Sequence, residues 1–109
     1  MEGKVESYNF ATRFTKYPGP RFIRLGKNSG EKFREDILRP IFENNDIIDI
    51  DATGVLSFGP SFLDEAFSPL AYEYGLDTFK KTIKFHSDTD KNLYEKMMSY
   101  VLRYLEEHK

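Results

Sequence analysis

Asp49 and Asp51 alternate with Ile48 and Ile50, so two carboxylates fall on one side of a short extended segment. Such a pair can exchange protons or hold a divalent cation such as Mg2+. The same spacing has an ordinary use, with Asp49 paired to a neighbouring Lys or Arg and Asp51 accepting backbone N–H groups from loop 52–54. Further on, Ser61, Asp64 and Glu65 fall in the first turn of a proline-started helix. A hydroxyl can meet a phosphate there, and acids complement the positive end of the helix dipole. His86 and His108 are the only histidines, and His86 ends an apolar alternation, the place of a solvated or hydrogen-bonded imidazole. No His, Asp and Glu spacing matches a metal site, and Cys is absent, which removes thiolate ligands, thiol nucleophiles and disulfides. The stretch from Gly26 to Gly30 has the residue types of a phosphate loop, but its Lys27 precedes the second glycine instead of following it. No catalytic set, cofactor or metal site is expected.

The elements that must carry these residues follow from periodicity and punctuation. Val5 to Phe14 reads as a strand, Tyr17-Pro18-Gly19-Pro20 as a turn, and Arg21 to Leu25 as a second strand that closes an N-terminal hairpin. From Glu31, apolar residues recur at Phe33, Ile37 and Ile41, an amphipathic helix capped by Ser29 and kinked by Pro40. Ile47 to Ile50 is a central strand. A second helix starts at Pro60, is bent by Pro69 and ends at Gly75. A strand over Thr82–Phe85, extended back to Phe79, precedes a last helix capped by Ser87–Asp90 and striped by Leu93, Met97, Val101 and Leu105. The order β-β-α-β-α-β-α predicts an α/β fold, a mixed four-stranded sheet with helices mainly on one face.

At 109 residues the chain is expected to be a single domain over 1–109, with a Phe-built core and a Tyr-decorated surface from ten Phe and seven Tyr. Its formal net charge of −2 argues against a general nucleic-acid binder. The N-terminus lacks the apolar core of a signal peptide and no run reaches membrane-spanning length, so the expected location is cytoplasmic with no membrane contact. One asymmetry stands out: Arg13, Lys16, Arg21, Arg24, Lys27, Lys32 and Arg34 make the first third basic, while most of the acid lies after position 43.

Ile50-Asp51, Gly54-Val55, Ser57-Phe58 and Ser61-Phe62-Leu63 together resemble the STAS domain, the fold of bacterial anti-anti-sigma factors. In that fold a central strand delivers a D-x-x-G-V-like loop into a D-S-S-G-L-like helix start. The string PSFLDEAF at Pro60–Phe67 and the helix start Ser29–Arg34 are more closely similar to the STAS-like family of bacterial and phage proteins of unknown function. The resemblance implies a non-enzymatic α/β switch or adaptor. In anti-anti-sigma factors the loop and helix start bind a GHKL-type ATPase kinase, which phosphorylates a serine there. Carried onto this sequence, Thr53, Ser57, Ser61, Asp64 and Glu65 become the partner-binding residues, and Ser61 the residue for phosphorylation. Pro60 stands where the phosphorylated serine of that family would be, and Gly59 where its acidic predecessor would be.

The leading expectation is thus a regulatory module that binds a protein partner, a GHKL-type ATPase kinase or a transcription regulator, through loop 53–65. The second is a phage- or mobile-element-encoded factor acting on nucleic acid, or on a nucleic-acid-associated complex, through Arg13, Lys16, Arg21, Arg24 and Lys27. The third is a small enzyme using Asp49 and Asp51 with Mg2+. Tyr94, Tyr100 and Tyr104 on the last helix also allow a homodimer face.

Overall fold

Asn9 ends the first strand. In the computed structural model, which describes residues 3–109, β1 (Val5–Asn9) passes into a short helical turn, α1 (Phe10–Arg13). The Asn9 side-chain oxygen accepts the Thr12 N–H at 3.0 Å, capping that turn. The strand is therefore shorter than Val5–Phe14, and helical spacing, not alternation, brings Phe10 and Phe14 together (rings 5.3 Å apart).

The second strand expected over Arg21–Leu25 does not form. Residues Ile23–Leu25 close one 3-10 turn, in which the Leu25 N–H bonds the Phe22 carbonyl at 3.0 Å. The carbonyls of Pro20 and Arg21 accept the N–H groups of Gly30 and Glu31, so this stretch lies along the start of the next helix. With no hairpin, the sheet has three strands instead of four.

Ser29 caps α2 (Gly30–Phe33) as expected, its hydroxyl oxygen accepting the Lys32 N–H at 3.0 Å. The helix then widens into a π turn (Arg34–Leu38) before α3 (Arg39–Glu43). Pro40 explains the widening: it has no N–H to donate, and its ring would meet the carbonyl four residues back in a regular α-helix. The bend expected at Pro40 is thus a change of helical gauge.

β2 (Ile47–Asp51) is central, with β1 on one side and β3 (Ile83–His86) on the other, all parallel; the expected mixed sheet is a parallel one. Parallel neighbours need long crossovers. The 30–43 helix supplies the first, and α4 (Pro60–Tyr74) with α5 (Leu76–Thr82) the second. Gly75, at φ +94, ends α4 and opens α5, which takes residues expected to extend β3. The last helix, α6 (Leu93–Glu107), starts later than expected; ahead of it the Asp90 carboxylate accepts the Asn92 N–H at 3.1 Å.

Register sorts the two faces of the sheet. Tyr8, Ile50 and Phe85 stand side by side, as do Ile48 and Ile83, and all five are buried under the helices. The opposite face carries Ser7, Asn9, Asp49, Asp51, Lys84 and His86, none of them buried. This open face is in keeping with the expectation of helices mainly on one side. Phe33 is fully buried at the middle of the aromatic core, its ring 5.0 Å from Phe10, 5.1 Å from Phe14 and 6.2 Å from both Phe62 and Phe67. Gly30 lets α2 close on α4, since a β-carbon there would lie 2.7 Å from the Phe62 carbonyl oxygen. Tyr8 departs from the surface-Tyr pattern: it is buried, and its hydroxyl has no hydrogen-bond partner among the described residues.

Candidate functional site

All three strands point their carboxyl ends the same way, toward the β2–α4 and β3–α6 loops, the usual place for recognition in parallel sheets. The β2–α4 loop is anchored by every third residue. Ala52 and Val55 are buried, and Phe58 packs its ring 5.1 Å from Phe10 and 5.5 Å from Phe85. Between these anchors Gly54, Leu56 and Ser57 are exposed, with Leu56 at 78%. Gly54 takes φ +94, which favours glycine and turns the chain toward Leu56. The Leu56 N–H reaches the Lys16 carbonyl at 3.4 Å, joining the loop to the segment that follows α1.

Thr53 links the two loops. Its N–H donates to Asp51 Oδ1 at 2.9 Å, and its hydroxyl oxygen accepts the Asp88 N–H at 2.9 Å. Asp51 therefore does accept a loop N–H, as the ordinary reading of the carboxylate pair holds. Asp49 differs, pairing with His86 (Nε2 to Oδ1 2.6 Å) and not with a Lys or Arg. Thr53, through its hydroxyl first and its N–H second, holds the Asp51 carboxyl below the usual aspartate range. A depressed carboxylate stabilises the fold above its unfolded-state pKa, and that contribution is lost as pH falls through the folded value. In Thr53→Val the Asp51 side-chain carbon, followed by NMR titration, is expected to titrate nearer the ordinary aspartate value of about 3.9. An unchanged titration would mean that the Thr53 hydroxyl does not hold the carboxylate.

The five residues assigned by resemblance divide into two groups. Ser57 lines a cleft of about 300 Å3 with Val55, Phe58, Ser87 and Thr89. Ser61 is exposed at the second position of α4, and its hydroxyl makes no hydrogen bond among the described residues. Asp64 and Glu65 face inward instead. Arg21 donates to Asp64 at 3.0 Å and to Glu65 at 3.2 Å, and Arg34 reaches the Glu65 carboxylate at 2.6 Å. Arg34 and Glu65 are only 12% and 14% exposed at their side chains. The chain of pairs continues through Glu35 and Arg39 to Glu73. Hydrogen bonding from Arg39, outweighing partial burial and joined by Arg34, holds Glu35 below the ordinary glutamate range.

This ladder absorbs part of the charge asymmetry: Arg21 and Arg34 of the basic first third meet acids from helix α4. It also changes the electrostatics at Ser61, because the nearby carboxylates are already neutralised by arginines. Leu56 and Arg34 are the contributors that sequence reasoning missed. For Leu56 the available signal is an apolar residue stranded between Gly54 and Gly59; for Arg34 there is none, since its partner lies 31 residues away.

Tyr94 and Tyr100 pack partly against the core, and Tyr104 stacks on His108 with ring centroids 3.8 Å apart. Among the described residues no group of three or more His, Asp or Glu is placed to hold a metal, and no helix is long and apolar enough to cross a membrane.

The sequence profile of one protein family, described as a STAS-like domain of unknown function (DUF4325), matches residues 29–93. The matched stretch runs from the Ser29 cap to the first residue of α6 and contains β2, α4 and β3. Neither the curated proteins nor the solved structures contain a match to this chain.

Proposed function

The chain belongs to the STAS-like domain family of unknown function, and on that premise we propose that it is a non-enzymatic interaction module. Its partner is a protein, of the GHKL-type ATPase kinase class, docked on the β2–α4 loop and the start of α4. The observation that carries the reading is Leu56, 78% exposed at the tip of a loop whose neighbouring residues are pinned in the core. A rigid loop presenting one large apolar side chain loses little entropy on binding, and such anchors dominate interface energetics.

Thr53, Ser57 and Ser61 flank that anchor and supply hydroxyls for the polar rim. Asp64 and Glu65 serve the same surface indirectly, by clamping α4 to Arg21 and Arg34. Ser61 is the hydroxyl to which the ATPase would transfer a phosphoryl group, adding about −1.5 to −2 charges at a helix N-terminus that tolerates them. Only the first turn of the last helix, through Leu93 and Lys96, borders the proposed surface at the Ser57 cleft; Tyr94 and Tyr100 pack partly against the core.

Calorimetry with a purified GHKL-type ATPase tests the proposal. Leu56→Asp is expected to weaken binding by about 2 kcal/mol, roughly thirtyfold in Kd, with the melting temperature unchanged. Equal affinities for wild type and Leu56→Asp would remove the loop from the interface.

A further inference from the structure

A second surface has a distinct chemistry. Between Glu6 and Glu31 the sequence contains no acid but five cations: Arg13, Lys16, Arg21, Arg24 and Lys27. Two of them are engaged locally, Arg21 in the ladder on α4 and Arg13 over the Tyr8 ring. The turn 23–28 faces outward around a depression of about 580 Å3 lined by Ile23, Arg24, Leu25, Lys27 and Lys32. Ile23 and Leu25 are 53% and 56% exposed, although an aliphatic side chain gains nothing from water. Lys27 has no ion pair among the described residues, and the Arg24 guanidinium lies over the Phe22 ring at 5.3 Å, held ready on the rim. This turn precedes the residues matched by the family profile.

We propose that the depression at residues 23–28 is a docking site for an acidic peptide segment that carries apolar side chains. Its apolar side chains would enter between Ile23 and Leu25, while its carboxylates would meet Arg24 and Lys27 on the rim; Lys32 is already paired with Asp36 at 2.8 Å. Charge complementarity selects an acidic occupant, and the paired aliphatics select a protein segment over nucleic acid, whose phosphates have no use for them. An anionic bilayer fits less well. The cations of the site fall short of the roughly four to eight that clustered lipid sites carry. The inference stands independently of the β2–α4 loop, and Leu56→Asp leaves it untouched.

The test uses the full chain, 15N-labelled, titrated with a synthetic peptide of Leu and Glu at helical spacing and with a control peptide in which Gln replaces Leu. Amide shifts are expected to map to residues 22–32. Arg24→Glu with Lys27→Glu, and separately Ile23→Ser with Leu25→Ser, should each weaken the peptide by at least about tenfold. All four side chains are exposed, so both variants keep the wild-type melting temperature. The proposal is overturned if no shifts map to this turn, or if the serine variant or the Gln control binds as well as the parent. Tighter, charge-dependent binding to phosphatidylglycerol vesicles or duplex DNA than to the peptide would also overturn it.

Discussion

Glu65→Ala is expected to lower the free energy of unfolding by about 3 kcal/mol, measured by urea denaturation. The reason is what it leaves behind. Arg34 is 12% exposed, and its guanidinium would lose a carboxylate at 2.6 Å in a place water reaches poorly, keeping Glu35 at 2.8 Å and the residue-65 carbonyl. Arg21 would lose one of its two acids in the same step. Removing one member of a buried pair costs more than the pair itself contributes, because the survivor stays charged and desolvated. Replacing both, Arg34→Met with Glu65→Leu, should recover most of the loss. If the double variant is as unstable as Glu65→Ala, the penalty comes from packing and not from the stranded charge. The same geometry revises what charge reversal at Asp64 and Glu65 would do. On sequence grounds it should abolish partner binding in a folded domain, whereas the pairing with Arg21 and Arg34 predicts loss of the fold itself.

Phe33→Ala should destabilise by about 3–5 kcal/mol, a large share of the roughly 5–15 kcal/mol that holds a domain folded. The residue is fully buried, and its ring joins Tyr8 of β1 and Phe10 of α1 to Phe62 and Phe67 of α4. Truncation leaves a cavity that these rings, anchored on separate elements, cannot close together. Phe33→Leu keeps most of the volume and should cost much less, about 1 kcal/mol. Similar midpoints for the alanine and leucine variants would mean that the core collapses freely around this site. Because Phe62 opens the helix that carries Ser61, loosening this cluster would also loosen the proposed docking surface.

Where one periodicity dominated, the sequence was readable. Ile47 to Asp51 alternates cleanly, and the structure buries Ile48 and Ile50 while leaving Asp49 and Asp51 on the open face. The PSFLDEAF helix and the Leu93–Met97–Val101 stripe were equally legible, because proline and spacing left no competing pattern. Arg21 to Leu25 misled because Arg21 and Arg24 among Phe22, Ile23 and Leu25 suggest alternation. The adjacent Phe22 and Ile23 break it, and none of the three apolar residues is buried. Ile23 and Leu25 point to solvent, and the backbone hydrogen bonds go to α2 instead of a neighbouring strand. Phe79 to Thr82 read as the start of a strand because the seven residues Leu76–Thr82 are too few for helical spacing to declare itself. Phe79 and Thr82, three apart, are the only buried side chains of that helix.

The site was legible as a location and not as a set of contacts. The loop after Asp51 and the start of α4 could be found from Gly54, Pro60 and the family resemblance. That Asp64 and Glu65 turn inward could not, since Arg21 and Arg34 lie 43 and 31 residues away in sequence. Ion pairs across such distances are fixed by how two helices cross, and composition shows only that the charges are available.

Hydrogen exchange on the complex with a GHKL-type ATPase tests the central claim most directly. The account predicts that binding slows exchange in residues 53–61, around Leu56 and Ser61, while the open sheet face and α6 beyond its first turn exchange as in the free protein. Protection of Ser7, Asp49 and Lys84 on the sheet, or of α6, with the 53–61 loop unchanged would contradict it.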